Sequence, residues 1–419
     1  MKLLINLCSH DGIISHYNGV GTMTKRYLKT IISYLEKNNI EYDINLITPE
    51  YKDTSFGYSS ETKKENEKLK HVQIIQIDNG SNAAINYGYP INWKTLTKNA
   101  ADFINGIDKS IYDKVITIYN DTTLACLSNL LKKEDNHIKI WIPHSTIKIH
   151  EVDSAVKDSD SFYQERLKWE QDAINYANED KNSYIGIIGE FIKKHLIEEY
   201  SLRKDKCLKV FNGELLNEDI HVSYNSMNEK LFKELENNDS LILSFGRAEI
   251  YKNLIATINL GKEMKMRTVV IAQSYFKEQP ILKEYKDCID NNQYINLYID
   301  PPFNFAKYIL QNFNKPIIVV IPSKKEIMGL IINEIRKFNK ENVLIVSNDV
   351  DGLNEQINDG IDGIVVDIDN SIESKEKILN YLEPGKMKKM NDESQKTLRG
   401  KYDLHKNIKE FLDTILEEC

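Results

Sequence analysis

The chain has 419 residues, with 55 Lys+Arg against 63 Asp+Glu and a net charge of −8. At roughly 150 residues per domain this length implies two or three domains, each able to bury a large core. Sparse Gly (18) and Pro (9) with 41% hydrophobic residues exclude fibrous, collagen-like and wholly disordered chains, and an acidic balance without a long Lys/Arg block leaves no footprint for duplex nucleic acid.

In chain order, Leu3-Leu4-Ile5-Asn6-Leu7-Cys8 is too short an apolar run for a signal peptide and reads as a buried first strand. Similar runs follow at residues 44–48, 72–77, 115–119, 138–142 and 184–188, and in the second half at 241–246, 268–272, 295–299, 317–321, 343–347 and 363–367. Stretches of helical period separate them. Near-continuous apolar strands alternating with helices predict parallel sheets covered on both faces. The fold class is therefore α/β, with two Rossmann-like domains facing across a cleft, so that two sheets can grip one ligand from each side. The first domain spans 1–212, a polar and acidic linker 213–240, the second domain 241–400, and an amphipathic helix through Leu404, Ile408, Leu412 and Ile415 fills 401–419. Residues 50–70 read as a mobile polar loop. Phe162, Trp169, Ala173 and Tyr176 mark an amphipathic helix packed on the core, and 191–206 reads as a solvated helix rather than a membrane-docking one. The five cysteines (Cys8, Cys126, Cys207, Cys288, Cys419) are widely spaced, without a Cys-x-x-Cys pair or Cys/His cluster, which argues for scattered core thiols rather than zinc or disulfides. No apolar run approaches bilayer length, and the expected location is the cytoplasm.

The most informative segment is IIVVIPSKKEIMGLIINE, residues 317–334. A buried strand ends at Pro322, a Ser-Lys-Lys loop follows, and Glu326 and Glu334 stand eight positions apart across the mouth and early turns of a helix. Eight helical residues rotate by about 800°, so the carboxylates occupy adjoining sectors near a positive helix end. Carboxylates accept charge-assisted hydrogen bonds from vicinal hydroxyl pairs, which suits a nucleoside diphosphate sugar. Two acids drawn to a helix start by the dipole alone are the competing reading. Upstream, Arg247 and Lys252 follow the strand Leu243-Ser244-Phe245-Gly246, and they offer a planar fork and a point charge for phosphate oxygens.

Pro322, Ser323, Glu326, Gly329 and Glu334 resemble the Glu-x7-Glu motif of retaining glycosyltransferases of the GT-B fold, family 4 type. Gly246-Arg247 with Lys252-Asn253 resembles that family's Gly-Arg…Lys element, and the run from Ser347 to Val366 resembles its glycine-rich turn between the last strands. The resemblance implies that Glu326 contacts the donor sugar, that Glu334 holds the ribose, and that Arg247 and Lys252 neutralise the departing diphosphate. It places Gly246, Gly329 and Leu330 beside the nucleotide. In the first domain Asn18-Gly19-Val20-Gly21 is similar to the family's glycine loop, which assigns Gly19 and Gly21 to backbone approach of the donor. Pro143-His144-Ser145 is similar to a strand end facing the reaction centre, which assigns His144 to the donor sugar. His10, Asp11 and His16 are expected to line the cleft, and the run from Tyr119 to Thr122 to border the acceptor pocket.

The implied activity is transfer of a hexose-type sugar from a nucleoside diphosphate sugar, UDP-sugar favoured, to an acceptor hydroxyl with retention. The acceptor class is a glycan, a lipid-linked or a small molecule. No separate cofactor and no metal are expected; Asp349-Val350-Asp351 aligns with the glycine-rich turn rather than with a metal-binding loop. The rival readings are a sugar-nucleotide epimerase of the same fold and a catalytically silent nucleotide-sugar-binding protein.

Overall fold

The computed structural model describes all residues except 53–54, 83–88, 151–160, 218–224, 275–278, 303, 340 and 418–419. The chain divides into two compact units, Met1–Asn212 with Leu404–Cys419, and Gly213–Asp403. Cys419 lies outside the described residues.

The first unit holds a seven-stranded sheet in the order β3-β2-β1-β4-β5-β6-β7. Its strands are β1 (Lys2–Cys8), β2 (Glu41–Pro49), β3 (Val72–Ile77), β4 (Lys114–Asn120), β5 (His137–Ile142), β6 (Ser183–Ile187) and β7 (Cys207–Lys209). Every recorded pairing in it is parallel. The second unit holds a six-stranded parallel sheet, β10-β9-β8-β11-β12-β13. These strands are β8 (Leu241–Arg247), β9 (Thr268–Gln273), β10 (Ile295–Ile299), β11 (Ile317–Ile321), β12 (Val343–Asn348) and β13 (Ile364–Val366).

Alternation along the strands explains why the apolar runs are unbroken. Leu241, Leu243, Val319, Ile321, Val343 and Ile345 pack on one face against Phe305, Ile309, Phe313 and Ile332. Their neighbours Ile242, Ile318, Val320, Leu344 and Val346 pack on the other against Ala256, Leu260, Ile378 and Met387. A strand covered on both sides carries apolar residues at every position, and each fully buried Leu, Ile or Val contributes about 1.5–3 kcal/mol.

Both sheets reverse their winding once. The chain runs outward from β1 to β3 and then crosses to β4 on the other side of β1; in the second unit it runs from β8 to β10 and then crosses to β11. The connections therefore diverge outside the carboxyl ends of β1/β4 and of β8/β11, and each divergence opens a crevice where α/β sheets bind ligands.

Four expectations need correction. Strand β7 was not foreseen because only three residues pair and its one buried member, Leu208, stands between a half-buried Cys207 and an exposed Lys209. The 50–70 stretch is no free loop: the helix Ser60–Glu67 is capped by the Ser59 side chain, Thr62 and Asn66 are buried, and the Asn66 amide donates to Ile13 O at 2.7 Å. The 213–240 stretch is not a bare linker either, since the helix Ser226–Lys233 and the residues after it deliver Phe232 and Leu235 to the core of the second unit. The helix Glu190–Tyr200 buries Ile192, Leu196 and Tyr200 at i, i+4 and i+8, a stripe that its Lys and Glu residues mask in the sequence.

Candidate functional site

At the β8/β11 crevice, β8 ends in Arg247 and a tight turn brings up Lys252. Asn253 in this turn adopts a left-handed conformation (φ 53°) and starts the helix Leu254–Met264. Across the crevice β11 ends at Ile321, and the loop that follows carries Glu326. Lys252 Nζ lies 2.7 Å from Glu326 Oε2, with both side chains about one-fifth exposed. Arg247 reaches Tyr251 OH at 2.8 Å and Glu249 Oε1 at 3.1 Å, while Lys252 stands 5.6 Å from the centre of the Tyr251 ring. Tyr251 thus contacts both cations. The Lys324 N–H donates to Tyr251 O at 2.8 Å, stitching the β11 loop to the β8 turn. A Cβ added to Gly246 would meet no atom within 4 Å, so the end of β8 is open to close approach.

Glu326 does not belong to the helix. That helix is Leu330–Phe338, with Gly329 at its N-cap and no capping side chain, so the expected 800° relation between Glu326 and Glu334 does not apply. What sets Glu326 is the packing of its loop. A Cβ on Gly352 would stand 2.0 Å from Glu326 O and 2.5 Å from Ile327 O, and one on Gly329 would stand 3.3 Å from Glu326 Cγ. Both glycines are close-approach positions, and Gly352, read from sequence as a turn former, seats the loop directly. Leu330 is the first helical residue, and Glu334 follows one turn later, half-buried. With no side chain at the cap, the first N–H groups of this helix present partial positive charge to an anion. Arg336 anchors the helix from behind. It is fully buried and lies 3.3 Å from the buried Asp362, and it donates to Gln356 O at 2.6 Å and Ser394 Oγ at 3.1 Å.

In the first unit, three loops at adjacent strand ends converge. His10 follows β1, Asp121 follows β4 and His144 follows β5. His10 Nδ1 lies 3.9 Å from Asp121 Oδ2, and His144 Nε2 lies 3.2 Å from Asn120 Oδ1. Asp121 has φ 69° and ψ 174°, a positive-φ conformation otherwise almost confined to glycine, which a side-chain-bearing residue adopts at a cost of about 1–3 kcal/mol. Its N–H donates to Ile142 O, and its O accepts from Trp141 Nε1. Burial opposes the Asp121 charge, but His10, His144 and Arg166 outweigh it and hold the carboxyl below its ordinary value. Burial pushes His144 down to about 4 against the attraction of Asp121, and it likewise lowers His10. At neutral pH the group is one carboxylate flanked by two neutral imidazoles. Arg166 donates to Glu170, Thr122 and Ser145, and the buried Glu170 in turn takes the Ile147 N–H and Tyr200 OH, fixing the two loops that carry Asp121 and His144.

The two glycines of the first loop have different surroundings. Gly21 leaves room for Asp11, since a Cβ there would fall 2.2 Å from Asp11 Oδ2, and its N–H is taken by the Asn18 cap. Gly19 is exposed at the first turn of its helix. Asp11 is buried rather than cleft-lining and organises its loop by accepting from Gly12 N–H, Ser15 Oγ and Asn18 N–H. His10 is buried and His16 exposed. Sequence reasoning passed over Tyr251, Glu249, Arg336 and the central place of Asp121. Only Asp121 left a signal, a polar Asn-Asp-Thr run directly after a wholly buried strand. After β9, Ser274 donates through N–H and Oγ to Asp300, the residue that follows β10.

The sequence matches no protein-family model and no curated protein. The structure is similar to sucrose-phosphate synthase from Thermosynechococcus elongatus (12% identity, 99% of this chain and 100% of that one, TM-score 0.73). It is also similar to a glycosyltransferase from Rickettsia africae (17%, 100% and 99%, 0.69) and to Anabaena HepE, solved with UDP and glucose (16%, 100% and 100%, 0.68). The fold is the GT-B fold of these structures.

Proposed function

We propose that the chain is a glycosyltransferase that moves a hexose from a UDP-sugar to an acceptor hydroxyl, with retention and without a divalent metal. The observation that carries this reading is the Lys252–Glu326 pair at 2.7 Å, set beside Arg247 at the β8/β11 crevice. A diphosphate competes for Lys252 and frees Glu326 to accept hydrogen bonds from sugar hydroxyls. Arg247, Lys252 and the uncapped start of Leu330–Phe338 neutralise the charge that develops as the nucleoside diphosphate leaves. Glu334 takes the ribose. UDP is favoured because HepE, of the same fold, was solved with UDP and with UDP-glucose.

In the first unit, ionised Asp121 accepts from a hydroxyl of the acceptor, and neutral His144 offers ring nitrogen hydrogen bonding to the sugar. With the leaving phosphate as proton acceptor, no carboxylate need act as nucleophile, unlike the pair in retaining glycosidases. The acceptor classes remain glycan, lipid-linked or small molecule. The test is proton NMR of UDP-glucose turnover with EDTA present and an acceptor panel: an axial product anomer supports the reading, an equatorial one removes retention, and loss of turnover on chelation removes metal independence.

A further inference from the structure

Asn120, the last residue of β4, is wholly buried. Its Oδ1 lies 3.2 Å from His144 Nε2, and its Nδ2 lies 3.5 Å from Thr24 Oγ1 on the helix Gly19–Lys37. Thr24 decides which end of the amide faces the histidine. A hydroxyl carries one hydrogen, and Thr24 has two nearer takers for it, Val20 O at 2.9 Å and Ser9 Oγ at 3.0 Å. Asn120 therefore meets only lone pairs at Thr24 and must donate there through its NH₂, which turns its carbonyl oxygen to His144. A carbonyl oxygen only accepts, so the histidine proton sits on Nε2; the partner of one ring nitrogen sets the tautomer of the whole ring. Burial lowers His144 to about 4 against the attraction of Asp121 and with the help of His10, so the ring takes no second proton at neutral pH and Nδ1 is left as a bare acceptor. Nδ1 has no partner among the described residues, and the ring is partly exposed.

We propose that Asn120 is a positioning residue that fixes His144 as its Nε2–H tautomer, so that Nδ1 accepts a hydrogen bond from a sugar hydroxyl. The assignment rests on the transferase reading and gives the His144 contact a direction: like the ionised Asp121 that follows Asn120, the free ring nitrogen calls for a ligand group that donates. Nitrogen-15 NMR of the full chain labelled in its histidine rings tests it, with the His144 resonances identified by their loss in His144→Gln and circular dichroism as a folding control. At neutral pH without ligand, the wild-type chain is expected to hold His144 in a single tautomer protonated at Nε2. Asn120→Leu, which removes the acceptor, and Thr24→Val, which frees the amide to turn, are each expected to mix the two tautomers. Both lower kcat/KM for UDP-glucose by about three- to tenfold, the loss of one hydrogen bond, while UDP alone, which lacks the transferred sugar, binds as it does to the wild type. The spectra need no substrate, so a chain that shows the Nε2–H tautomer yet turns over no UDP-sugar counts against the transferase reading and not against the role of Asn120. A wild-type His144 protonated at Nδ1, or a tautomer unchanged in both folded variants, overturns the proposal.

Discussion

Replacing Gly352 by alanine is the sharpest perturbation of the donor crevice that touches no charged group. The added Cβ would stand 2.0 Å from Glu326 O, against a practical minimum of 3.0 Å, and the atom it meets is backbone. The Glu326 loop must therefore retreat by about 1 Å. Overpacking of this kind destabilises by about 1–3 kcal/mol, which for a domain of this size lowers the melting temperature by about 2–4 °C per kcal/mol. A 1 Å displacement of a positioned group slows reaction by about 100-fold. The assay pairs thermal melting with turnover of UDP-glucose by Gly352→Ala and the wild-type chain. A melting temperature lowered by a few degrees with turnover down at least tenfold is expected. Unaltered turnover in the variant would refute the argument that Gly352 seats Glu326.

Three further outcomes follow from the same geometry. Gly246→Ala, whose Cβ meets nothing within 4 Å, leaves the melting temperature unchanged yet weakens UDP binding by tenfold or more in calorimetry, because it occupies the space where the ligand passes the end of β8. Arg336→Met strands the buried Asp362 and lowers stability in urea by about 3–5 kcal/mol, and a second change, Asp362→Leu, recovers much of that loss. In acid, His137 and His144 have folded values of about 4 against an ordinary 6.5. The folded chain therefore binds fewer protons than the unfolded one between those limits, and stability falls as pH drops from 6.5 to 4. The loss is up to about 3 kcal/mol for each histidine, less for the partly exposed His144; His144→Gln flattens the slope of unfolding free energy against pH by about one proton.

Much of the fold was legible because both sheets are buried on both faces, so twelve of the strands announce themselves as apolar runs. What escaped was whatever depends on one short segment meeting another far along the chain. β7 is too short to show a pattern, and the core contacts of Phe232 and Leu235 are invisible in an acidic stretch. In the donor crevice, Arg247, Lys252, Glu326 and Glu334 were readable as residue types at a spacing. The geometry was not: Glu326 sits in a loop shaped by Gly352, 26 residues on, and Tyr251, in contact with both cations, carries no signal of its own. In the first unit, Gly21 was readable only as part of a glycine loop, and the space its missing side chain makes for Asp11 left no signal. Asp121 gains its place from a positive-φ backbone between two hydrogen-bonded strand ends, a feature set by the sheet rather than by local sequence.

The central claim is that Arg247, Lys252 and Glu334 build a nucleoside diphosphate site, and titration calorimetry with UDP in the presence of EDTA tests it most directly. Saturable binding by the wild-type chain is expected, weakened at least tenfold in Arg247→Ala and in Glu334→Ala, with ADP and GDP binding less tightly than UDP. Binding of UDP that is indifferent to both substitutions, or none at all by a folded chain, would contradict the account.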